Sequence, residues 1–153
     1  MKKVELKTKE VSLAYEILNV AKYQKLSDDD KVKVWKISRK LFPIAEKYGK
    51  DMEDAKQKII PSEDYTHRVE LAIQYQNVKD TGGKELPMTD EEYARTLADW
   101  NKCNNLIEKA LKELAEQNVT IEIDAINEEA FGKLMASNDW NFAQVSALEF
   151  IIE

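Results

Sequence analysis

The sequence predicts a mainly α protein: a long antiparallel helical hairpin with an N-terminal helix beside it, a small two-stranded β-ribbon and short C-terminal helices. Three observations predict it. Between Thr89 and Asn118, the residues Tyr93, Leu97, Trp100, Asn104, Ile107, Leu111, Leu114 and Asn118 recur at alternating steps of four and three. That spacing sets one side chain per turn on a single helical stripe, the seam of a hairpin or coiled coil. A second stripe runs from Val34 through Ile37, Leu41, Ile44, Ala45, Tyr48, Met52 and Ala55 to Ile59. Finally, 34% charged side chains with only four Gly and three Pro suit a helix-rich domain better than a β-sandwich or a disordered tail. At 153 residues, a single helical domain spanning 1–153 with a real core is expected.

Taken in order, Lys2–Lys7 alternates Val4 and Leu6 against charges, as a short half-buried strand does. It needs a partner, and Val119–Ile123, with the same alternation, is the one good candidate; the two are expected to pair. A first helix is expected from Thr8 or Lys9 to Lys25, apolar at Val11, Ala14, Tyr15, Leu18 and Ala21. Ser27 then offers a cap, with Asp28, Asp29 and Asp30 at the positive end of the helix dipole. The second helix, about Asp28 to Ile59, has its stripe widened by Trp35 and Phe42, which predicts contact with two other helices over 34–45. Pro43 removes a backbone donor at a cost of about 3 kcal/mol, so a kink is expected there.

Residues 61–88 allow two readings. Val69, Leu71, Ile73 and Tyr75 alternate as in a strand, whereas Tyr65, Val69, Ala72 and Ile73 would equally suit two helical turns. Giving the alternation precedence predicts a small hairpin or extended excursion, closed by the Lys79–Lys84 turn, whose paired glycines supply positive φ. Thr89 and Glu92 form a capping box for the next helix, and Asn118 suits the left-handed residue that ends it. After the 119–123 strand, Asn127 caps a helix of about Glu128 to Ala136, and Asn141 with Gln144 caps a last one through Ile152.

Charge is unevenly placed within the net −6: residues 1–84 hold 18 basic and 14 acidic side chains, residues 85–153 hold 5 and 15. Opposite signs favour docking of the two halves and disfavour self-pairing of the acidic one. The single cysteine, Cys103, forms no internal disulfide and makes no zinc site alone. Met1-Lys2-Lys3 is followed by no apolar signal core, and no apolar run approaches the roughly 20 residues of a membrane helix, so a reducing cytoplasm is the expected compartment.

No phosphate-binding, nucleotide-binding, metalloprotease or nucleophile motif is present. The acidic groups Asp28–Asp30, Asp90–Glu92 and Glu128–Glu129 all fall at helix starts, where the dipole explains them without catalysis or a calcium loop. His67 lacks visible partners for proton transfer or metal binding, and Cys103 reads as a small core residue rather than a nucleophile. No catalytic residue, metal or cofactor is therefore expected. Three partner-facing candidates remain. Asn104 lies in the seam, where a buried amide fixes register or partner. Lys31, Lys33, Lys36, Arg39 and Lys40 form a basic patch without an acid among them, near Trp35 and Phe42. Nucleic acid would want that combination, but the aromatics read as part of the apolar face, and a solvated or acid-paired surface is the plainer reading. Trp140 and Phe142 flank a helix cap, where such a pair either closes a core or anchors an interface.

The order of parts resembles a loose class of small α-helical proteins of tailed phages and prophages. It shares an opening helix, a Lys-rich helix (LSDDDKVKVWKISRKLFPIAEKYGKDMEDAKQK) and a glycine turn (KDTGGKEL). A further helix (TDEEYARTLADWNKCNNLIEKALKEL), a strand (VTIEI) and a closing helical ALEFII follow. The resemblance spans nearly the whole chain and carries no catalytic residues across; it implies a phage-associated accessory or structural role. The expected function is thus a non-enzymatic protein-interaction or assembly accessory protein with a protein partner, in a bacterial host's cytoplasm or on the virion. The alternatives are a self-assembling homo-oligomer pairing through 93–118, or a nucleic-acid-binding regulator using residues 31–40. Neither a membrane nor a small-molecule ligand is expected.

Overall fold

The computed structural model describes residues Met1–Glu153. The chain runs β1 (Lys2–Lys7), α1 (Thr8–Asn19), α2 (Asp28–Ile59), α3 (Glu63–Asp80), α4 (Asp90–Ala115), β2 (Asn118–Ile123), α5 (Glu128–Ser137), α6 (Phe142–Leu148) and a 3₁₀ turn (Glu149–Ile151). This is the mainly α architecture with one two-stranded ribbon that the sequence predicts. Two compact units divide it: Met1–Asp51 with Glu113–Glu153, and Met52–Lys112. No helix is long and apolar enough to cross a membrane.

In the first unit β1 and β2 pair antiparallel, from Lys2 opposite Ile123 to Lys7 opposite Asn118. Alternation then puts Val4 and Leu6 on one face with Ile121 and Ile123, packed on the core. Lys2 shares that face, and its ammonium donates to the carbonyls of Phe150 (3.2 Å) and Ile152 (2.6 Å), tying down the last turn. Where β1 meets α1, the Thr8 amide and hydroxyl both donate to the Gln117 carbonyl, at 2.9 and 3.1 Å. Lys7 and Lys9 converge on Glu116, the latter at 2.6 Å, and hold its carboxyl down to about 2. The core joins Val11, Leu18, Val34, Ile37, Leu41, Ile126, Leu134 and Leu148, among others.

Helix α1 stops at Asn19, short of the expected Lys25. Asn138 captures the backbone of Lys22 on both sides, accepting from its amide at 2.8 Å and donating to its carbonyl at 3.0 Å. Those groups are thereby withdrawn from the helix, and Leu26 is turned into the core. Helix α2 has the predicted bounds, with the Ser27 hydroxyl accepting from the Asp30 amide at 3.1 Å, and it continues through Pro43. Trp35 and Phe42, expected to widen its apolar face, lie outside it at 59% and 45% exposure. One 100° step past Val34 carries Trp35 off the side that Val34, Ile37 and Leu41 bury. At the other end the cap at Asn141 forms as expected, amide and side chain exchanging bonds with Gln144 at 2.9 Å, but α6 gives way to a 3₁₀ turn after Leu148. Ile126 bonds there to the backbone of Ile151 and Glu153, both at 2.9 Å.

In the second unit residues 63–80 form α3, not the expected hairpin. The Ser62 hydroxyl caps it, accepting from the Tyr65 amide at 3.2 Å. Tyr65, Ala72 and Tyr75 are buried on one face while Ile73, which the alternation groups with Tyr75, is 46% exposed. The helical period wins because α4 offers a continuous partner face. The glycine turn is present as a Schellman ending: Gly83 donates to Val78 at 2.9 Å, Gly82 to Lys79 at 3.2 Å, with Gly82 at φ +73°. Along α4, Tyr93 stacks on Tyr75 (centroids 4.1 Å apart) and donates to Gln76 at 2.8 Å, Tyr75 donates to Asp90, and Asp99 meets Arg68 at 3.4 Å. Further on, the Cys103 thiol lies 3.9 Å from the carbonyl of Ile59, so here α4 adjoins the end of α2.

The capping box at Thr89 forms as predicted, with Glu92. The stripe beyond it is rotated from the expected seam: Thr96 and Cys103 are the buried residues, Leu97, Ile107, Leu111 and Leu114 are half-buried, and Asn104 is exposed. A step of three advances a helix by 300° and a step of four by 400°, so the stripe is not a straight line, and small departures decide which neighbour is innermost. Asn118 is not a left-handed cap, since no non-glycine residue has positive φ; it opens β2 opposite Lys7.

Candidate functional site

The open surface of the first unit is concentrated on the outer side of α2. A 100° turn per residue places Val32, Trp35, Lys36, Arg39 and Phe42 away from the core that Val34, Ile37 and Leu41 face. Arg39 lies over the Trp35 indole, its guanidinium carbon 5.5 Å from the ring centroid, an arrangement the i,i+4 spacing allows. Phe42 is partly covered by Tyr15 of α1, with centroids 5.4 Å apart. Trp35 has no such cover.

Two grooves share the Trp35 side chain as a wall. One, of ≈ 430 Å³, runs between α2 and the end of β2, with Met1, Ile37 and Ile123 as apolar lining and Lys36, Arg39, Lys40 and Asp124 around it. The other, of ≈ 330 Å³, lies toward Leu18 and Tyr23. Burial pushes the Tyr23 hydroxyl up, and it donates to the Leu18 carbonyl.

The structure sorts the basic patch residue by residue. Lys33 stands 3.9 Å from Asp124, Lys40 donates to the Glu122 carbonyl, and Lys31 pairs with Asp28 at 3.4 Å. Lys36 and Arg39 meet no carboxylate within 4.0 Å. Two cations therefore stay free beside an exposed indole.

The other candidates separate. Trp140 packs half-buried against the core, whereas its neighbour Phe142, first residue of α6, is 91% exposed. Asn104 is exposed on α4, so it fixes no register inside the chain. His67 is exposed on α3. Cys103 is buried beside Tyr65, whose hydroxyl is raised to about 12, first by burial and then by the thiol. No three His, Cys, Asp or Glu side chains come together as a metal site.

Sequence reasoning found Lys36 and Arg39 but assigned Trp35 to the wrong side. The signal was present: the period that buries Val34, Ile37 and Leu41 leaves position 35 outside. Met1 and Ile123, brought to the groove by strand pairing, had no local signal. Comparison with protein-family models, with curated proteins and with solved structures finds no match to this chain.

Proposed function

We propose that this chain is a non-enzymatic protein-interaction module, a cytoplasmic accessory of assembly, docking its partner through the outer face of α2. One observation carries the reading: an exposed Trp35, braced by Arg39 and flanked by unpaired Lys36, borders a shallow apolar groove. Trp and Arg are the side chains that most often dominate binding energy at protein interfaces, and an apolar floor with a charged rim is the usual layout. The resemblance in layout to small phage and prophage proteins adds the setting, a bacterial host during phage assembly.

An exposed aromatic with free cations also favours a second reading, binding of single-stranded nucleic acid. It is the weaker one. Arg39 already lies on the indole, and two free cations would neutralise few phosphates in a protein of net charge −6. The test is co-purification with the products of adjacent genes, comparing wild type with the Trp35→Glu, Arg39→Glu double variant. Stoichiometric retention of one identified protein by the wild type alone is expected. Retention of none, or equal retention by the variant, would count against the docking face.

A further inference from the structure

The second unit holds a cleft of its own. It lies between the first turns of α3 and the middle of α4, with the end of α2 beside it, and its ≈ 310 Å³ has Ile59, Pro61 and Leu106 as apolar lining. Asp99, Lys102, Cys103 and Leu106 follow one another along α4 by three, one and three, and Tyr65 and Arg68 lie three apart on α3. At these spacings each helix turns one face to the cleft.

Hydrogen bonding around it is incomplete. Tyr65 is 6% exposed, yet its hydroxyl bonds to no nitrogen or oxygen and has the Cys103 thiol, a weak partner, beside it. Arg68 meets Asp64 at 3.3 Å and Asp99 at 3.4 Å, while its Nε is buried without a hydrogen bond. Lys102 has no carboxylate within 4.0 Å. Buried polar groups in native proteins are almost always bonded, so unspent donors along a cavity wall suit a ligand that brings acceptors. Leu106, 49% exposed on the same wall, offers that ligand apolar surface.

We propose that this cleft binds a small monocarboxylate with a short aliphatic or aryl body. Its carboxylate takes the Lys102 ammonium and the Tyr65 hydroxyl, and its body lies against Ile59, Pro61 and Leu106. An ionised carboxylate is acceptor-only, which is what these donors require, whereas an amine would be repelled by Lys102 and Arg68. A single negative charge matches the lining, because Asp99 already offsets Arg68 and leaves Lys102 as the one unmatched ion. The volume is at the lower end for ligand sites, so binding is weak, with a Kd between ~0.1 and ~10 mM. Trp35 belongs to the other unit, so failure here leaves the proposed docking face untouched.

Two-dimensional amide NMR on the full chain tests it, titrating phenylacetate and isovalerate at fixed ionic strength with phenylacetamide as the neutral twin. Saturable shifts centred on residues 59–68 and 99–106 are expected, with phenylacetamide at least ~10-fold weaker. Lys102→Gln changes an exposed side chain and Tyr65→Phe keeps the ring, so both retain the wild-type spectrum outside the cleft. Each should weaken phenylacetate by about 3- to 30-fold, the scale of losing one hydrogen bond. No saturable shift with either acid up to ~20 mM, shifts centred elsewhere on the chain, or equal binding of phenylacetamide overturns the proposal. So does binding that both variants leave unchanged.

Discussion

The two units are stabilised by different means. The first buries seventeen apolar residues in one cluster drawn from β2, α1, α2, α5, α6, the loops beside them and the last turn, with Val4 and Leu6 of β1 packed against it. The second has a buried cluster of only three, Ala72, Tyr75 and Met88, with Tyr65, Thr96 and Cys103 buried outside it, and relies on contacts with polar ends: Tyr75 to Asp90, Tyr93 to Gln76, Arg68 to Asp99. Burial of apolar area is the dominant favourable term in folding, whereas a hydrogen bond contributes a net ~1 kcal/mol and an exposed ion pair less. The first unit is therefore the stable body, and the second opens at lower free energy. The proposed docking face lies on the first unit, whose core does not depend on the exposed Trp35.

The largest effect is expected where the dry core is cut. Leu134→Ala removes a fully buried side chain and should cost about 2–5 kcal/mol in chemical denaturation; a loss below ~1 kcal/mol would mean the cluster is looser than its burial indicates. Native-state hydrogen exchange would resolve the units separately, with amides of α3 and the first half of α4 exchanging through smaller openings than those of α5 and β2. Equal protection in both would break the comparison.

Next in size is the ending of α3. Gly82 at φ +73° tolerates no side chain without strain, so Gly82→Ala should lose about 1–2 kcal/mol, felt as faster exchange in the second unit. Gly83→Ala would place a Cβ 2.8 Å from Val78 Cγ1 and act in the same sense.

Groups in the first unit act at both ends of the pH range, whereas Tyr75 in the second acts only at the alkaline end. Glu116, held down to about 2 by Lys7 and Lys9, contributes stability to the first unit that is present above the ordinary carboxyl value of 4.5. It is lost as pH falls from there through 2. Tyr75 in the second, raised to about 12 by its bond to Asp90, contributes below 10 and loses that contribution as pH rises through 12. Glu116→Gln should flatten the acid limb and Tyr75→Phe part of the alkaline limb. Tyr23 adds an alkaline loss of its own in the first unit, so the variants, not the wild-type curve, assign the limbs. The smallest effect belongs to Asn104: exposed, it should change stability by less than ~0.5 kcal/mol as Asn104→Ala, where a buried register residue would change it by more.

Local rules were legible wherever they acted alone. Capping boxes at Thr89 and Asn141, the Asn127 cap, the start of α2, the glycine turn and the pairing of the two alternating segments all follow from chemistry within a few residues or from a period of two. Of the proposed docking face, Lys36 and Arg39 were readable as a patch without acids, and the three-four period of α2 contained the exposure of Trp35.

What tertiary structure alone decided is the outcome where two local readings competed. Residues 63–80 satisfy both a strand and a helix pattern, and α4 selected the helix by giving Tyr65, Ala72 and Tyr75 a face to pack on. Asn138 ended α1 from 116 residues away by taking the backbone of Lys22. The groove beside Trp35 needed β-pairing to bring Ile123 to α2. Sequence by itself determined the helical class, the caps, the turn and the charge imbalance, because these depend on neighbours along the chain. Which side chain is innermost, which cation stays unpaired and which aromatic is left in solvent depend on neighbours in space, and only the folded chain assigns those.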